Sequence, residues 1–258
     1  MIRRPPRSTQ GVSSAASDVY KRQDVEYLNP FVFYRPQEYS MGSSDNVIIG
    51  ASLNAKIKNT TVYSQVVLDE FLLSEIRARS GWWANKFGAQ LGIMGRLSDK
   101  LSYRVEGNLV RPYTFSHLTP LQVYGHRGSA LAHPYGSNFA EILTELNWSK
   151  NINPKLKLRF FASVGIRGTD MDSLNYGSDI YESYINRPND FGNYIGQGTK
   201  QTFFITNTRA SYPILNEGRI HAFAELQTQY IKMDGFQKIS FLPMIGIRSY
   251  LWNDYRNY

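Results

Sequence analysis

Cysteine is absent from this 258-residue chain, which excludes both a disulfide framework and a cysteine–zinc site. The sequence also lacks any apolar run near the roughly 18 residues that a transmembrane helix requires. Its first 23 residues contain no continuous apolar segment of the kind found in secretory signals, about 7–15 residues long. The fold and function must therefore be sought in shorter patterns.

Residues 1–23 resemble translated sequencing-adapter DNA, most clearly from Ser13 to Gln23, and we interpret them as an artefactual or disordered leader. The alternative is a basic arm that binds nucleic acid. This segment carries five of the 29 Lys and Arg residues and one of the 21 Asp and Glu residues. The remaining 24 basic and 20 acidic residues give no reason to expect a nucleic-acid partner.

Two-residue alternation dominates the rest of the chain. From Leu101 to Leu109, apolar residues occupy the odd positions and polar residues the even positions. A long aromatic and polar loop then runs to Asn138. Such alternation indicates a strand with two chemically opposite sides. The same unit recurs and predicts about ten strands: 27–34, 47–57, 61–69, 84–97, 101–110, 139–149, 155–168, 201–212, 219–233 and 240–253.

Strand length and loop length together predict the fold class. Most of these predicted strands span roughly ten to fourteen residues, and a strand needs about 9–11 residues to cross a bilayer. Short connections at 58–60, 98–100, 150–154 and 213–218 alternate with long ones at 35–46, 70–83, 111–138 and 169–200. Short turns at one end and long loops at the other are typical of an all-β, antiparallel up-and-down transmembrane β-barrel. A soluble sandwich or propeller is the alternative.

Aromatic residues and charges fit this prediction. Trp148, Tyr212, Tyr250 and Trp252 fall near the short turns, while Trp82, Trp83, Tyr113 and Phe115 fall near the long loops, as interfacial girdles would. Ordinary strand propensity is the competing explanation. The polar sides of the strands carry both signs of charge, which suits a filled lumen better than an ion-selective constriction.

The long loops hold the candidate site residues. In loop 35–46, Arg35, Glu38, Tyr39, Asp45 and Asn46 suit recognition of sugar hydroxyls, although a simply solvated loop is the alternative. Asp69 and Glu70 are paired carboxylates without a nucleophile nearby in the sequence. A short helix is expected between Phe71 and Ser80.

Loop 111–138 contains His117, His126 and His133 among several tyrosines. These histidines invite a metal-site interpretation, but their spacing matches no ligand motif. Ser116 and His117 invite a hydrolase interpretation, but adjacent residues on a strand do not face each other. We therefore predict no enzymatic activity and no cofactor.

Six segments carry a resemblance to a known family: Asn29–Pro36, Glu38–Asn46, Asp69–Glu70, Trp82–Lys86, Asn108–His117 and Leu131–Phe139. The chain resembles outer-membrane barrels of the Wzi-like capsule assembly family, including relatives described as gliding-motility proteins. The resemblance is dense from about residue 29 to 141. It implies a non-enzymatic barrel that holds surface polysaccharide. In the second long loop, Arg111, Tyr113, His117, His126 and His133 are further candidate glycan contacts.

From these observations we expect residues 24–258 to be the C-terminal part of a bacterial outer-membrane β-barrel that binds or organises extracellular polysaccharide. Its other partner would be outer-membrane lipid. The alternatives are a channel or transporter, or an adhesion or gliding-motility protein of the same fold. Because family members are longer, we expect an open sheet in which strands 27–34 and 240–253 do not pair.

Overall fold

The structure, a computed structural model, describes residues 48–149, 156–171, 174–214 and 220–249. Eleven strands and one α-helix lie in these ranges. They are β1 Ile49–Ile57, β2 Thr60–Glu70, α1 Leu73–Ala78, β3 Lys86–Ser98, β4 Leu101–Val110, β5 Gly125–His126, β6 Ser129–Ala130, β7 Phe139–Ser149, β8 Lys157–Thr169, β9 Thr199–Pro213, β10 Ile220–Met233 and β11 Phe236–Ser249. A 3₁₀ turn spans Tyr184–Asn186.

Nine strands form one antiparallel sheet in the order β1-β2-β3-β4-β7-β8-β9-β10-β11, and β5 and β6 form a small hairpin in the loop after β4. Each strand of the large sheet pairs with the next one in the chain, so the predicted all-β, up-and-down class is confirmed. Within the described ranges no pairing joins β1 to β11, and barrel closure is not seen. Residues 27–34, the predicted first strand, lie outside the described residues.

The predicted strands match the observed ones closely, and the predicted helix is α1. The main difference is β11, which begins at Phe236 and not at Ser240. A two-residue turn, Asp234–Gly235, joins it to β10, with Gly235 at a φ of 71°. Asp-Gly is a favoured pair for tight hairpins because its second residue accepts positive φ.

That turn also changes the predicted sorting of connections. Because consecutive strands reverse direction, connections alternate between the two ends of the sheet. The strand ends that are joined across 58–59, 99–100, 150–156 and 214–219 lie at one end, which we call the turn end. The long connections at 71–85, 111–138 and 170–198 occupy the other, which we call the loop end. The turn at 234–235 also lies at the loop end, so one connection there is short.

The cross-strand register carries apolar residues across the whole sheet on one side. One row runs through Leu91, Gly107, Ile142, Val164 and Phe204 and continues to Ile239. We call this side the apolar face. Its exposed side chains include Ile49, Leu53, Ile57, Val66, Leu91, Ile93, Ile142, Leu158, Phe160, Val164, Phe204, Leu226, Ile239, Phe241, Ile245 and Ile247.

The apolar side of this sheet is exposed and the polar side is buried, which is the reverse of a soluble sheet. On the other side, the polar face, the buried residues are mostly charged or amide side chains: Asp69, Lys86, Glu106, Asn108, Glu141, Ser163, His221 and Glu225. In a soluble half-buried sheet the apolar side is covered and the polar side is solvated. Strand β8 shows the inversion directly, since Leu158, Phe160 and Val164 are exposed while Ser163 is buried.

A compact hydrophobic cluster occurs at the loop end of the polar face. Val110, Phe115, Phe139 and Ile180 form its buried centre. Two of these residues end or begin strands, and two come from the long loops after β4 and β8. The loops therefore fold onto the polar face at this end.

No helix among the described residues is both long and apolar enough to cross a membrane.

Candidate functional site

Hydrogen bonds join side chains on four strands of the polar face. The Tyr63 hydroxyl on β2 donates to Glu106 on β4 over 2.5 Å, and the Asn108 amide donates to both Glu106 and Glu141 over 2.9 and 3.2 Å. Glu141 on β7 also accepts a hydrogen bond from the Ser163 hydroxyl on β8 over 2.9 Å. Buried carboxylates need such partners, because an unpaired one would be strongly destabilising.

Nearer the turn end, arginines replace amides as the partners of the carboxylates. Glu145 accepts from both Arg104 and Arg159 over 3.0 Å, which links β4, β7 and β8. Glu225 on β10 pairs with Arg209 on β9. The predicted mixture of charges on this face is thus a set of cross-strand pairs, and neighbouring strands compensate each other's charge.

The carboxylates Asp69 and Glu70 attach the sheet to the loops. A backbone N–H of the long loop, at Phe115, donates to the Asp69 carboxylate over 2.9 Å. Glu70 lies 3.5 Å from the ammonium of Lys86, a fully buried side chain that also donates to the Ser116 carbonyl over 3.1 Å. These contacts give the two carboxylates a structural role, since Asp69 binds the backbone of the second long loop and Glu70 pairs with the buried Lys86.

Lys86 also lies beneath two aromatic rings, with its ammonium 5.3 Å from the Trp83 ring centroid and 4.7 Å from that of Tyr184. The Arg187 guanidinium also lies over the Trp83 ring, 4.2 Å from its centroid. Burial raises the pKa of the Tyr184 phenol, and Glu70 adds to the rise. Cations between aromatic rings bring the first and third long loops together.

Tyr113 lies near the start of the second long loop and Asn138 ends it, and both have left-handed backbones, with φ of 64° and 61°. The Tyr113 hydroxyl donates to the Asn175 carbonyl over 2.9 Å, and burial raises its pKa. The Asn138 amide donates to the Gln197 carbonyl over 3.0 Å and accepts from the Gly196 N–H over 2.7 Å. Both residues therefore bind the second loop to the third.

The first and third loops also share backbone hydrogen bonds. The Trp83 N–H donates to the Asp190 carbonyl, the Gly192 N–H to Ser80 and the Asn193 N–H to Gly81, over 2.8–2.9 Å. We call the joined segments 80–86, 111–138, 170–171 and 174–198 the loop layer. It covers the loop end of the polar face.

The structure places five of the predicted site residues in the loop layer. Arg111 donates to the carbonyls of Trp82 and Asn193 over 3.4 and 3.3 Å, and burial lowers its pKa. His117 contacts Gln122 over 2.7 Å, and His126 is exposed in the β5–β6 hairpin. His133 contacts Glu141 over 3.0 Å. Arg35, Glu38, Tyr39, Asp45 and Asn46 lie outside the described residues.

Two expectations about aromatic residues are corrected here. Tyr113 and Phe115 are almost completely buried in the loop layer, so they do not form an interfacial girdle, and Tyr113 offers no free ring face to a sugar. Phe115 packs with Val110 and Phe139, and Tyr113 packs against Trp83 at a centroid distance of 6.1 Å. Strand alternation does not predict these contacts. At the turn end, Trp148 and Tyr212 do lie on the apolar face. Tyr250 and Trp252 lie outside the described residues.

The histidines do not converge. His133 stacks on Phe139 with ring centroids 4.3 Å apart, whereas His117 lies beside Tyr184 at 5.9 Å. Across the described ranges, no group of three or more His, Asp or Glu side chains could hold a metal ion.

Sequence reasoning did not select Phe191 and Tyr194 in the third loop. Their side chains are 56% and 64% exposed. Their backbones are fixed, because Gly192 and Asn193 between them bond to the first loop and the Tyr194 N–H donates to Gln197 over 3.1 Å. Closely spaced aromatics among amides and glycines, Asn189 to Gly198, were the available signal.

No family model, curated protein or solved structure matches this chain.

Proposed function

We propose that this chain forms wall strands of a β-barrel in a bacterial outer membrane, with the apolar face against lipid and the polar face towards the lumen. Inverted burial is the observation that carries the proposal. The nine strands of the large sheet are 9–15 residues long, enough to cross a bilayer when tilted. In water, an apolar surface of this extent would cause aggregation.

At the loop end, we propose that the protein binds or organises extracellular polysaccharide without catalysing a reaction. Two exposed aromatic rings, Phe191 and Tyr194, stand on a fixed backbone among polar groups. Flat rings beside hydrogen-bonding groups suit sugars, which have both apolar faces and hydroxyl edges. The resemblance to the Wzi-like capsule assembly family supports the same assignment.

A channel or transporter of the same fold is the second candidate, favoured by the charged pairs that line the polar face. The loop layer argues against a wide pore, because it covers the loop end of that face. A gliding-motility or adhesion protein would use the same exposed loop residues on a different surface. These functions share the membrane location and differ in what reaches the loop layer.

Membrane location is tested first. We expect the purified protein to sediment as a single species only in detergent and to partition with liposomes during flotation. A monodisperse, detergent-free protein would contradict the barrel and favour a soluble sandwich.

Glycan binding is tested in nanodiscs against a panel of purified neutral and acidic polysaccharides, by biolayer interferometry. We expect Phe191→Ala and Tyr194→Ala to weaken binding severalfold, because each removes a stacking face. The matched control is Tyr212→Ala, which removes an exposed ring on the apolar face at the opposite end. Equal binding by all three variants would contradict the assignment of this site.

A further inference from the structure

Helix α1 exposes its apolar residues at the loop end of the sheet. Phe71, Leu72, Leu73 and Ile76 are 39–51% exposed, and no residue of the helix is buried. Leu73 and Ile76 lie on the same side of the helix at a spacing of three residues, and Leu72 lies one turn before Ile76. Leu72, Leu73 and Ile76 therefore form a continuous apolar side that is about half exposed.

Hydrogen bonds hold this helix in place. The Leu72 N–H donates over 2.8 Å to the side chain of Asn85, which is itself buried just before β3. At the other end, the Arg79 N–H donates to the Ile76 carbonyl and the Ser80 N–H to the Glu75 carbonyl. The exposed apolar side is thus presented in a fixed orientation.

Basic side chains border the apolar residues. Arg77 and Arg79 are exposed, and neither forms an ion pair within the part of the chain that the structure describes. Glu75 is the single acidic residue of the helix. An apolar side flanked by free arginines is typical of helices that lie in a membrane interface.

We infer that α1 lies in the headgroup region of the outer leaflet, with Leu72, Leu73 and Ile76 against lipid and Arg77 and Arg79 on lipid phosphates. The inference rests on the proposed membrane location. Its support is continuity, because β2, which leads into α1, carries the exposed Val66 on the apolar face only four residues before the strand ends at Glu70. Charge complementarity with an anionic leaflet adds to it.

Contact between α1 and lipid would provide an interfacial anchor at the loop end of the sheet. The sequence places Tyr113 and Phe115 near the loop end, yet both rings are inside the loop layer. Interfacial side chains at both ends fix the depth of a membrane protein. In this chain α1 would perform that function at the loop end.

The absence of cysteine makes single-cysteine labelling specific. We would label Ile76→Cys, and Leu73→Cys as a second position, with an environment-sensitive fluorophore. Val164→Cys reports the apolar face, and Leu121→Cys is the matched control, an exposed leucine in the second loop. The proteins are reconstituted in vesicles that contain anionic lipids brominated near the headgroup or deep in the acyl chain.

We expect the probes at 76 and 73 to be quenched by the shallow bromines, Val164 by the deeper ones, and Leu121 by neither. Quenching at Val164 but not at 76 and 73 would overturn this inference and leave the barrel standing. A lack of quenching at all positions would overturn both. A blue-shifted, unquenched probe at 76 that reverts on dilution would identify a second copy of the chain as the occupant.

The arginines give an independent measurement. Replacing Arg77 and Arg79 by Gln should lower the ratio of quenched to unquenched probe roughly fivefold for each residue in anionic vesicles. In zwitterionic vesicles the same change should have little effect. Equal quenching of the double variant and the parent in anionic vesicles would overturn the assigned role of the arginines.

Discussion

Single residues in the loop layer have roles that depend on burial and not on their chemical type. Tyr113 is a polar aromatic residue in a loop, but its ring is buried and its hydroxyl has one specific acceptor. His133 is in contact with a strand carboxylate and a phenyl ring, while His126 is exposed. The sequence selected both histidines on equal grounds, and the tertiary contacts separate them.

The Tyr113 hydroxyl should make the loop layer sensitive to alkali. Burial raises its pKa above the unfolded value of about 10. A raised folded pKa stabilises the protein below pH 10, and this contribution is lost as pH rises from 10 through the folded value. Tyr113→Phe should thus lower stability at pH 8 by about 1 kcal/mol. It should also reduce the further loss of stability as pH rises above 10. Protease resistance of the loops across pH 8–12 measures this.

The matched control for that experiment is Tyr194→Phe, whose ring is exposed and whose alkaline profile should follow the parent. If the Tyr113→Phe profile were as steep as the parent's, the hydroxyl would have no part in the alkaline loss.

Asn138 should be the most sensitive amide in the loop layer. Its side chain forms hydrogen bonds with the backbone at Tyr176, Gly196 and Gln197. Asn138→Ala removes these three hydrogen bonds and loses the left-handed preference of Asn, so we expect a cost of about 1–3 kcal/mol. Hydrogen exchange should quicken in 170–198 and not in the sheet. Asn54→Ala, at an exposed position on β1, is the control and should change neither.

At the scale of elements, period-two alternation predicted the strands well because each strand faces two different environments. The alternation gives the same pattern whether the apolar side faces a protein core or lipid. Strand ends were less predictable. Phe236 to Ile239 extend β11 because a two-residue Asp-Gly turn suffices, whereas Tyr113, Phe115 and Asn138 needed left-handed backbones that only packing of the loops explains.

Strand β8 gives the clearest test of facing. Phe160 is on the apolar face and Phe161, its neighbour, on the polar face beside Glu145. Phe160→Arg should cost about 2–4 kcal/mol near the bilayer midplane. Phe161→Arg should cost less, because the new charge would be on the polar face and would not enter lipid. Urea titrations of refolding into vesicles measure both, and equal costs would favour a soluble fold.

At the scale of the whole molecule, the loop layer predicts poor conduction. It spans the first, second and third long loops through hydrogen bonds such as Asn193 to Gly81. In planar bilayers we therefore expect no large, steady conductance from the reconstituted chain. A stable, porin-like current would favour the channel alternative over the glycan-binding proposal. Gly81→Val is informative here, since a Cβ would lie 2.8 Å from the Asn193 nitrogen and should loosen the layer.

The sequence by itself determined the strands, their two-sided chemistry, and the ends at which most long loops lie. These are local properties, because alternation and turn residues act over a few neighbours. Tertiary structure alone decided which side is buried, which carboxylates pair with arginines or amides, and that Tyr113 and Phe115 lie inside the loop layer. Such properties depend on contacts between residues up to 112 positions apart, as between Gly81 and Asn193, and no local pattern contains them.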